Sequence, residues 1–166
     1  TKVFEKLNLL DIKLSINTIG TAVDRKKYSK ELTTYFQSFS EELSDTQLNT
    51  LSKNPMRLLD SKDPKLKSII ASAPLISDFL NKESQANFDI IKERLYKLKI
   101  PYIHDPKLVR GLDYYNDLVF EWKTDKLGAQ DALCAGGRYD NLSLIIGNQQ
   151  VPAVGFAMGI DRIVNL

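Results

Sequence analysis

Leu108-Val-Arg-Gly-Leu-Asp-Tyr-Tyr-Asn-Asp-Leu-Val-Phe-Glu121 is the stretch on which the fold turns. Arg110 stands beside Gly111, a residue that lets a backbone or a ligand come close. Two adjacent tyrosines follow, then a run rich in Val, Phe and Trp, so Tyr114 to Thr124 reads as a long strand. Neighbouring side chains of a strand point to opposite faces. Tyr114 and Tyr115 therefore cannot both be core, and one of them faces a pocket or solvent. Gly111 is a natural bulge position, so the face that Arg110 takes depends on a break in the pleat.

Outward from that stretch, the pattern alternates between strands and helices. Leu10, Ile12, Leu14 and Ile16 alternate with polar residues, which predicts a strand over Leu9–Ile19 with one buried face, ended by Gly20. From Ala22 to Leu43 the apolar residues Tyr28, Leu32, Tyr35, Phe36, Phe39 and Leu43 recur every three or four positions, a helical stripe. Ser44 and Gln47 form a capping box that starts a short helix ending near Asn54-Pro55, and Met56–Leu59 is a short apolar piece. Asp63-Pro64 opens a further helix holding Leu66, Ile69 and Ile70, which Pro74 breaks. Leu75–Leu80 adds a turn or two. A longer helix over Lys82–Lys99 carries Phe88, Ile91, Leu95 and Leu98 on one face.

Beyond Pro101 the strand signal returns: Tyr102-Ile103, the long strand already quoted, Ala132–Ala135 ending in Gly136-Gly137, and Pro152–Met158. Arg138–Ile146 and Gly159–Leu166 read as helices. The strand before the helical block and those after it belong to one sheet, and the block, 24–99, is an insertion. The fold class expected is α+β, with a mainly antiparallel sheet and an inserted all-helical subdomain.

Composition narrows the function classes. The chain has 166 residues, 43% of them apolar and 27% charged, the profile of a globular domain or two small ones. A net charge of +2 gives no argument for nucleic acid or membrane, although Arg25, Lys26, Lys27 and Lys30 on one helix and Lys62, Lys65 and Lys67 make the helical block mildly basic. The single Cys134 excludes an internal disulfide and fits a reducing compartment; with the single His104 it excludes zinc ribbons and multi-histidine metal sites. No apolar run approaches a membrane span, and Lys2, Glu5 and Lys6 interrupt any signal-peptide core. The abrupt ends suggest a piece of a longer polypeptide.

Three short segments carry polar residues that a fold alone does not need: Arg110 with Tyr114 and Tyr115; Gly136-Gly-Arg-Tyr-Asp140; and Gly155-Phe-Ala-Met-Gly-Ile-Asp-Arg162. Singly each has a plain reading. Gly136-Gly137 before a helix can cradle an anion on backbone amides, but such a pair is more often a tight turn. Gly155 and Gly159 lack the dinucleotide-binding and P-loop spacings. Arg110 is most simply a salt-bridge partner, Arg162 a solvated helix residue, His104 a strand-edge residue and Cys134 a small buried one.

Taken in order, Arg110-Gly-Leu-Asp-Tyr-Tyr115, Cys134-Ala-Gly-Gly-Arg-Tyr-Asp140 and Ala153-Val-Gly-Phe-Ala-Met-Gly-Ile-Asp-Arg162 closely resemble the histidyl-tRNA synthetases. The first two resemble that family's histidine-specific motifs and the third resembles motif 3 of the class II aminoacyl-tRNA synthetases. The resemblance extends to Asn17-Thr-Ile-Gly20 and to Leu58-Leu-Asp-Ser-Lys-Asp63, hence nearly the whole chain. Motifs 1 and 2 and the anticodon-binding domain are not found. The resemblance thus implies a piece of the catalytic core (1–23 and 100–166) with the family's helical insertion (24–99) inside it.

It also implies the chemistry. Histidine, ATP and tRNA(His) are the implied substrates, with Mg²⁺ accompanying ATP, no tightly bound cofactor and no obvious protein ligand for the ion. A cytoplasmic homodimer is the implied form of the whole enzyme. Arg110 would stabilise the α-phosphate as the histidine carboxylate attacks it, and Arg162 would hold the far phosphates. Gly155 and Gly159 would let adenine and ribose approach. Tyr115 and Tyr139 would line the imidazole site with Tyr114 beside it, over a floor shaped by Gly136, Gly137 and Arg138. The piece alone is expected to be inactive without motifs 1 and 2. The sequence departs from the family pattern at Asp117, Asp131 and Asp161, none of which touches the arginines or tyrosines. The runner-up is a non-catalytic, synthetase-like regulatory subunit of histidine biosynthesis; such proteins tend to lose these arginines and tyrosines, which this chain keeps. A third reading, an unrelated helical nucleic-acid-binding module, rests on the basic bias alone.

Overall fold

In the computed structural model, which describes residues 1–128 and 131–166, five strands among the described residues form one sheet of order β2-β1-β3-β4-β5. These are β1 (Lys13–Thr18), β2 (Ile103–His104), β3 (Asn116–Lys123), β4 (Ala132–Arg138) and β5 (Val154–Met158). The pair β1/β2 is parallel and the other three pairs are antiparallel, as the mainly antiparallel class expected. Helices α2 (Ala22–Gln37), α3 (Asp45–Lys53), α4 (Lys67–Ser72) and α5 (Lys82–Lys97) lie between β1 and β2 in the chain. The short α1 (Lys2–Lys6) precedes β1, while α6 (Asp140–Gly147) and α7 (Ile160–Val164) flank β5.

β1 is shorter than its alternation suggested, because Leu9–Ile12 stay outside the sheet, and both of its faces are buried. Leu14 and Ile16 meet Phe88 of α5, together with Leu118, Phe120 and Trp122 of β3. On the other face the buried Asn17 donates to the carbonyls of Leu108 at 2.9 Å and Pro106 at 3.3 Å. A buried amide must find partners, and those of Asn17 fix the loop that delivers Arg110. On α5, Phe88 and Leu95 face the sheet as expected, but the helix ends at Lys97 and Leu98 is exposed.

The stripe of α2 points inward through Tyr28, Leu32 and Phe36. The helix stops at Gln37, and a 3₁₀ turn over Ser40–Glu42 leads on to the buried Leu43. This helical core is continuous with Leu108, Val109, Tyr115 and Val119, so the block shares its interior with the sheet. The Ser44–Gln47 capping box forms as read. Asp63 caps a 3₁₀ turn at Pro64 that continues into α4, and Met56–Leu59 lies within a second such turn, Pro55–Asp60.

A further capping box starts α2. Asp24, only 1% exposed, accepts at one carboxylate oxygen from the Thr21 amide (2.9 Å), the Thr21 hydroxyl (2.8 Å) and Asn81 (2.7 Å). It closes against Gly20, whose φ of 61° suits glycine and where a Cβ would lie 2.9 Å from the Asp24 carboxylate. One carboxylate therefore caps α2 and ties it to the cap of α5. Replacing Asp24 by Ala loses the cap and orphans buried donors, an expected cost of about 3 kcal/mol. Urea unfolding would read this as a lower midpoint at an unchanged slope.

Candidate active site

Directly paired residues share a face of the sheet. On one face Val119 lies across from Gly137, and Gly137 from Gly155; Glu121 lies across from Ala135, and Ala135 from Ala157. At these positions β4 and β5 present glycine and alanine, and a shallow floor results. Arg110 stands over it.

The tyrosines do not sit as strand alternation predicted. β3 begins at Asn116, and Asp113 and Tyr114 form a turn before it, so both tyrosines can face the same way. Their ring centroids are 4.9 Å apart, and Tyr139 stands edge-on to both at 5.9 Å. Tyr115 is buried, and burial, with Tyr114 adding to it, pushes its hydroxyl pKa upward. The phenol stays protonated and able to donate. The Arg110 guanidinium lies 5.8 Å from the centre of the Tyr115 ring, so the two residues converge even though Gly111 separates them from a regular strand. Gly111 itself has nothing near the position of a Cβ, and its carbonyl accepts from Arg57.

Gly136-Gly137 form neither a turn nor a helix cap. They lie inside β4, which runs to Arg138, and α6 starts only at Asp140. The anion-cradle reading therefore fails, and the glycines have another cause. A Cβ on Gly137 would meet the Leu118 carbonyl at 2.4 Å and the Tyr115 ring at 2.9 Å; one on Gly136 would meet the Gly155 carbonyl at 2.2 Å. Gly155 in turn lies under Tyr139, where a Cβ would come within 2.2 Å of the hydroxyl. The structure thus brings Gly155 to the tyrosine cluster.

Arg110, Gly159 and Arg162 come together elsewhere on that side. They line a cavity of about 430 Å³ floored by Ala135, Ala157 and their neighbours. Arg162 donates to the Ala132 carbonyl at 2.8 Å and packs along Gly159. Cys134 borders this cavity as a buried thiol, its pKa raised by burial. Arg110 forms a 2.5 Å ion pair with Glu121, whose other oxygen takes Lys123 at 3.0 Å. Among the described residues the buried Nε of Arg110 has no hydrogen-bond partner, a donor the fold itself does not use. Glu121 was not singled out in the sequence; its only signal was a charge two residues from the core residue Val119 on the same strand face.

A second cavity, about 350 Å³, is lined by Thr21, Ser84, Asn116, Asp117, Arg138 and Asp140, among others. Arg138, expected at the floor of the imidazole site, turns here and donates to Asp140 at 2.7 Å. Asn116 accepts from the Asp140 amide at 2.8 Å and donates to its carboxylate at 3.3 Å, so the residues following Tyr115 and Tyr139 clamp each other. Asp117 has φ of 50°, a left-handed conformation that aspartate tolerates, and accepts from Ser84 at 2.8 Å. No cluster of three or more metal-ligating side chains occurs among the described residues.

A family model described as histidyl-tRNA synthetase matches residues 10–163. A histidine–tRNA ligase from a Marinomonas species is 47% identical over 166 residues, 99% of this chain and 39% of that protein. The crystal structure of apo S. aureus histidyl-tRNA synthetase is similar at TM-score 0.73 and 36% identity, covering 99% of this chain and 40% of that one. A Bacillus halodurans protein described as an ATP phosphoribosyltransferase regulatory subunit/histidyl-tRNA synthetase shares the fold at TM-score 0.60 and 22% identity, over 99% of this chain and 46% of that one. The chain spans about two fifths of the length of the curated relatives it matches.

Filling the space above Gly155 is expected to disturb the tyrosine cluster. Gly155→Ala would push Tyr139 aside, at an expected cost of about 1–3 kcal/mol that urea unfolding would read as a lower midpoint.

Proposed function

The chain belongs to the histidyl-tRNA synthetase family, and we propose that it supplies part of the catalytic core of a histidine–tRNA ligase. In that reading the whole enzyme activates histidine with ATP and transfers the acyl group to the 3′ end of tRNA(His). One observation carries the reading. Arg110 touches the tyrosine cluster through Tyr115 and also lines the cavity that holds Gly159 and Arg162. A cation acting at the α-phosphate needs that position, because the amino-acid carboxylate and the nucleotide meet there.

The assignments follow from this junction. Tyr115 and Tyr139 receive the imidazole, with Tyr114 covering one side; buried phenols that must pair with a partner reject side chains that cannot. Gly136 and Gly137 let the strands and the Tyr115 ring close beneath them. Charge growing on the α-phosphate oxygens is met by the planar, permanently charged guanidinium of Arg110, and the far phosphates fall to Arg162. Gly159 keeps the nucleotide side shallow. Gly155, which the resemblance places on the nucleotide side, also leaves room for Tyr139. Mg²⁺ would arrive on the phosphates, an arrangement that needs no all-protein cage.

We further propose that 24–99 is an inserted helical unit between the discontinuous segments 1–23 and 100–166. Support comes from the parallel register Ser15↔Ile103, which rejoins the sheet on the far side of the helices. The full-length ligase is proposed to act as a cytoplasmic homodimer; no described helix of this chain is long and apolar enough to cross a membrane.

In the full-length enzyme, Arg110→Ala is expected to lower histidine-dependent ATP–pyrophosphate exchange by about 10²-fold or more in protein that still folds cooperatively. Normal exchange in that variant would remove Arg110 from the chemistry. The 166-residue chain by itself is expected to give no exchange above background; robust turnover would show that the site is already complete within it.

A further inference from the structure

We propose that Glu121 is a positioning residue for Arg110, and that Lys123 holds Glu121 in place from the same strand. The inference rests on the role given above to Arg110. That arginine lies in a loop between the buried Val109 and Gly111, beside which the space a Cβ would take is open. A long side chain there has little direction of its own, so the groups its guanidinium touches must supply it. Those groups are the Tyr115 ring and the Glu121 carboxylate, the latter at 2.5 Å from Nη1.

Glu121 is well placed for this work. It lies within β3, paired on one side to Ser15 and on the other to Ala135, where both neighbouring strands hold the backbone. Its side chain is 13% exposed, those of Lys123 and Arg110 21% and 23%. Shielding a carboxylate from water is costly unless partners compensate it. Here each oxygen takes a different cation, so the carboxylate cannot rotate without breaking one pair.

The third member also settles a charge problem. An isolated Arg–Glu pair is neutral and would offer an approaching phosphate little attraction. With Lys123 the triad keeps a net positive charge, and the face of Arg110 turned to the cavity can still act as a cation. Burial alone would lower the Lys123 pKa, but Glu121, then Asp131 and Asp105, move it upward overall, so its ammonium stays charged.

The test is a double-mutant cycle in the full-length enzyme. Glu121→Gln keeps the shape and removes the charge; kcat for histidine-dependent pyrophosphate exchange is expected to fall about 10- to 100-fold, with the KM for histidine within about twofold of the parent. In the Arg110→Ala background the same substitution is expected to change the residual rate by less than about twofold, since it acts only through that arginine. Full activity of the single variant, or an equal loss in both backgrounds, would overturn the inference. Should Glu121→Gln not fold, Glu121→Asp, which keeps the charge but shortens the reach, enters the same cycle with the same criteria. The two levels separate cleanly: normal exchange in Arg110→Ala strikes the proposed function, whereas a collapse there with an intact Glu121→Gln strikes only this inference.

Discussion

Asn116 and Asp140 grip each other where β3 begins and β4 has just ended, and the site is built on that grip. Each residue directly follows one of the buried or half-buried tyrosines, so the distance between Tyr115 and Tyr139 is set by two hydrogen bonds made behind them. The carboxylate of Asp140 also accepts from Arg138 and from the Ala153 amide, which brings in the approach to β5. Through Asp117 and Ser84 the same network reaches α5, and through Asn81 and Asp24 it reaches the start of α2. Buried polar networks of this kind are costly when incomplete and specifying when complete. This one gives the helices and the sheet a single relative placement, on which both the ring cluster and the arginine loop depend.

Much of this was legible in the chain, where local chemistry and tertiary packing agree. The Ser44–Gln47 cap, the inward stripe of α2 and the return of strands after Pro101 all follow local rules that nothing distant contradicts. The ordered motifs around Arg110, Tyr139 and Arg162 carried the family, because a set of spaced polar residues is far more specific than any periodicity. The misreadings occurred where a distant backbone overrode a local preference. Gly136-Gly137 look like a turn, yet they are strand residues whose missing side chains admit the Leu118 and Gly155 carbonyls. Tyr114 and Tyr115 look like strand residues, yet a turn at Asp113 and Tyr114 comes first and frees both rings to face one another.

Other features had no local signature. The Thr21–Asp24 cap uses aspartate where the usual pattern has glutamate or glutamine, so only its geometry reveals it. Glu121 resembles any charge on an alternating strand until Arg110 is brought back over it from a loop eleven residues earlier. Asn17 reads as a polar position on the wet side of a half-buried strand; burial of both faces makes it the anchor for the Pro106–Leu108 backbone.

β1 pairs with β2 and β3, both of which lie beyond the whole helical segment. It has no strand partner nearby in the chain, so its pairings require closure of a long loop before they return any stabilisation. The helices make their local contacts without that closure, and by shortening the span between the sheet's parts they lower its cost. The loop carrying Arg110 is thus anchored across that span, by Asn17 donating to the carbonyls of Pro106 and Leu108 on its far side.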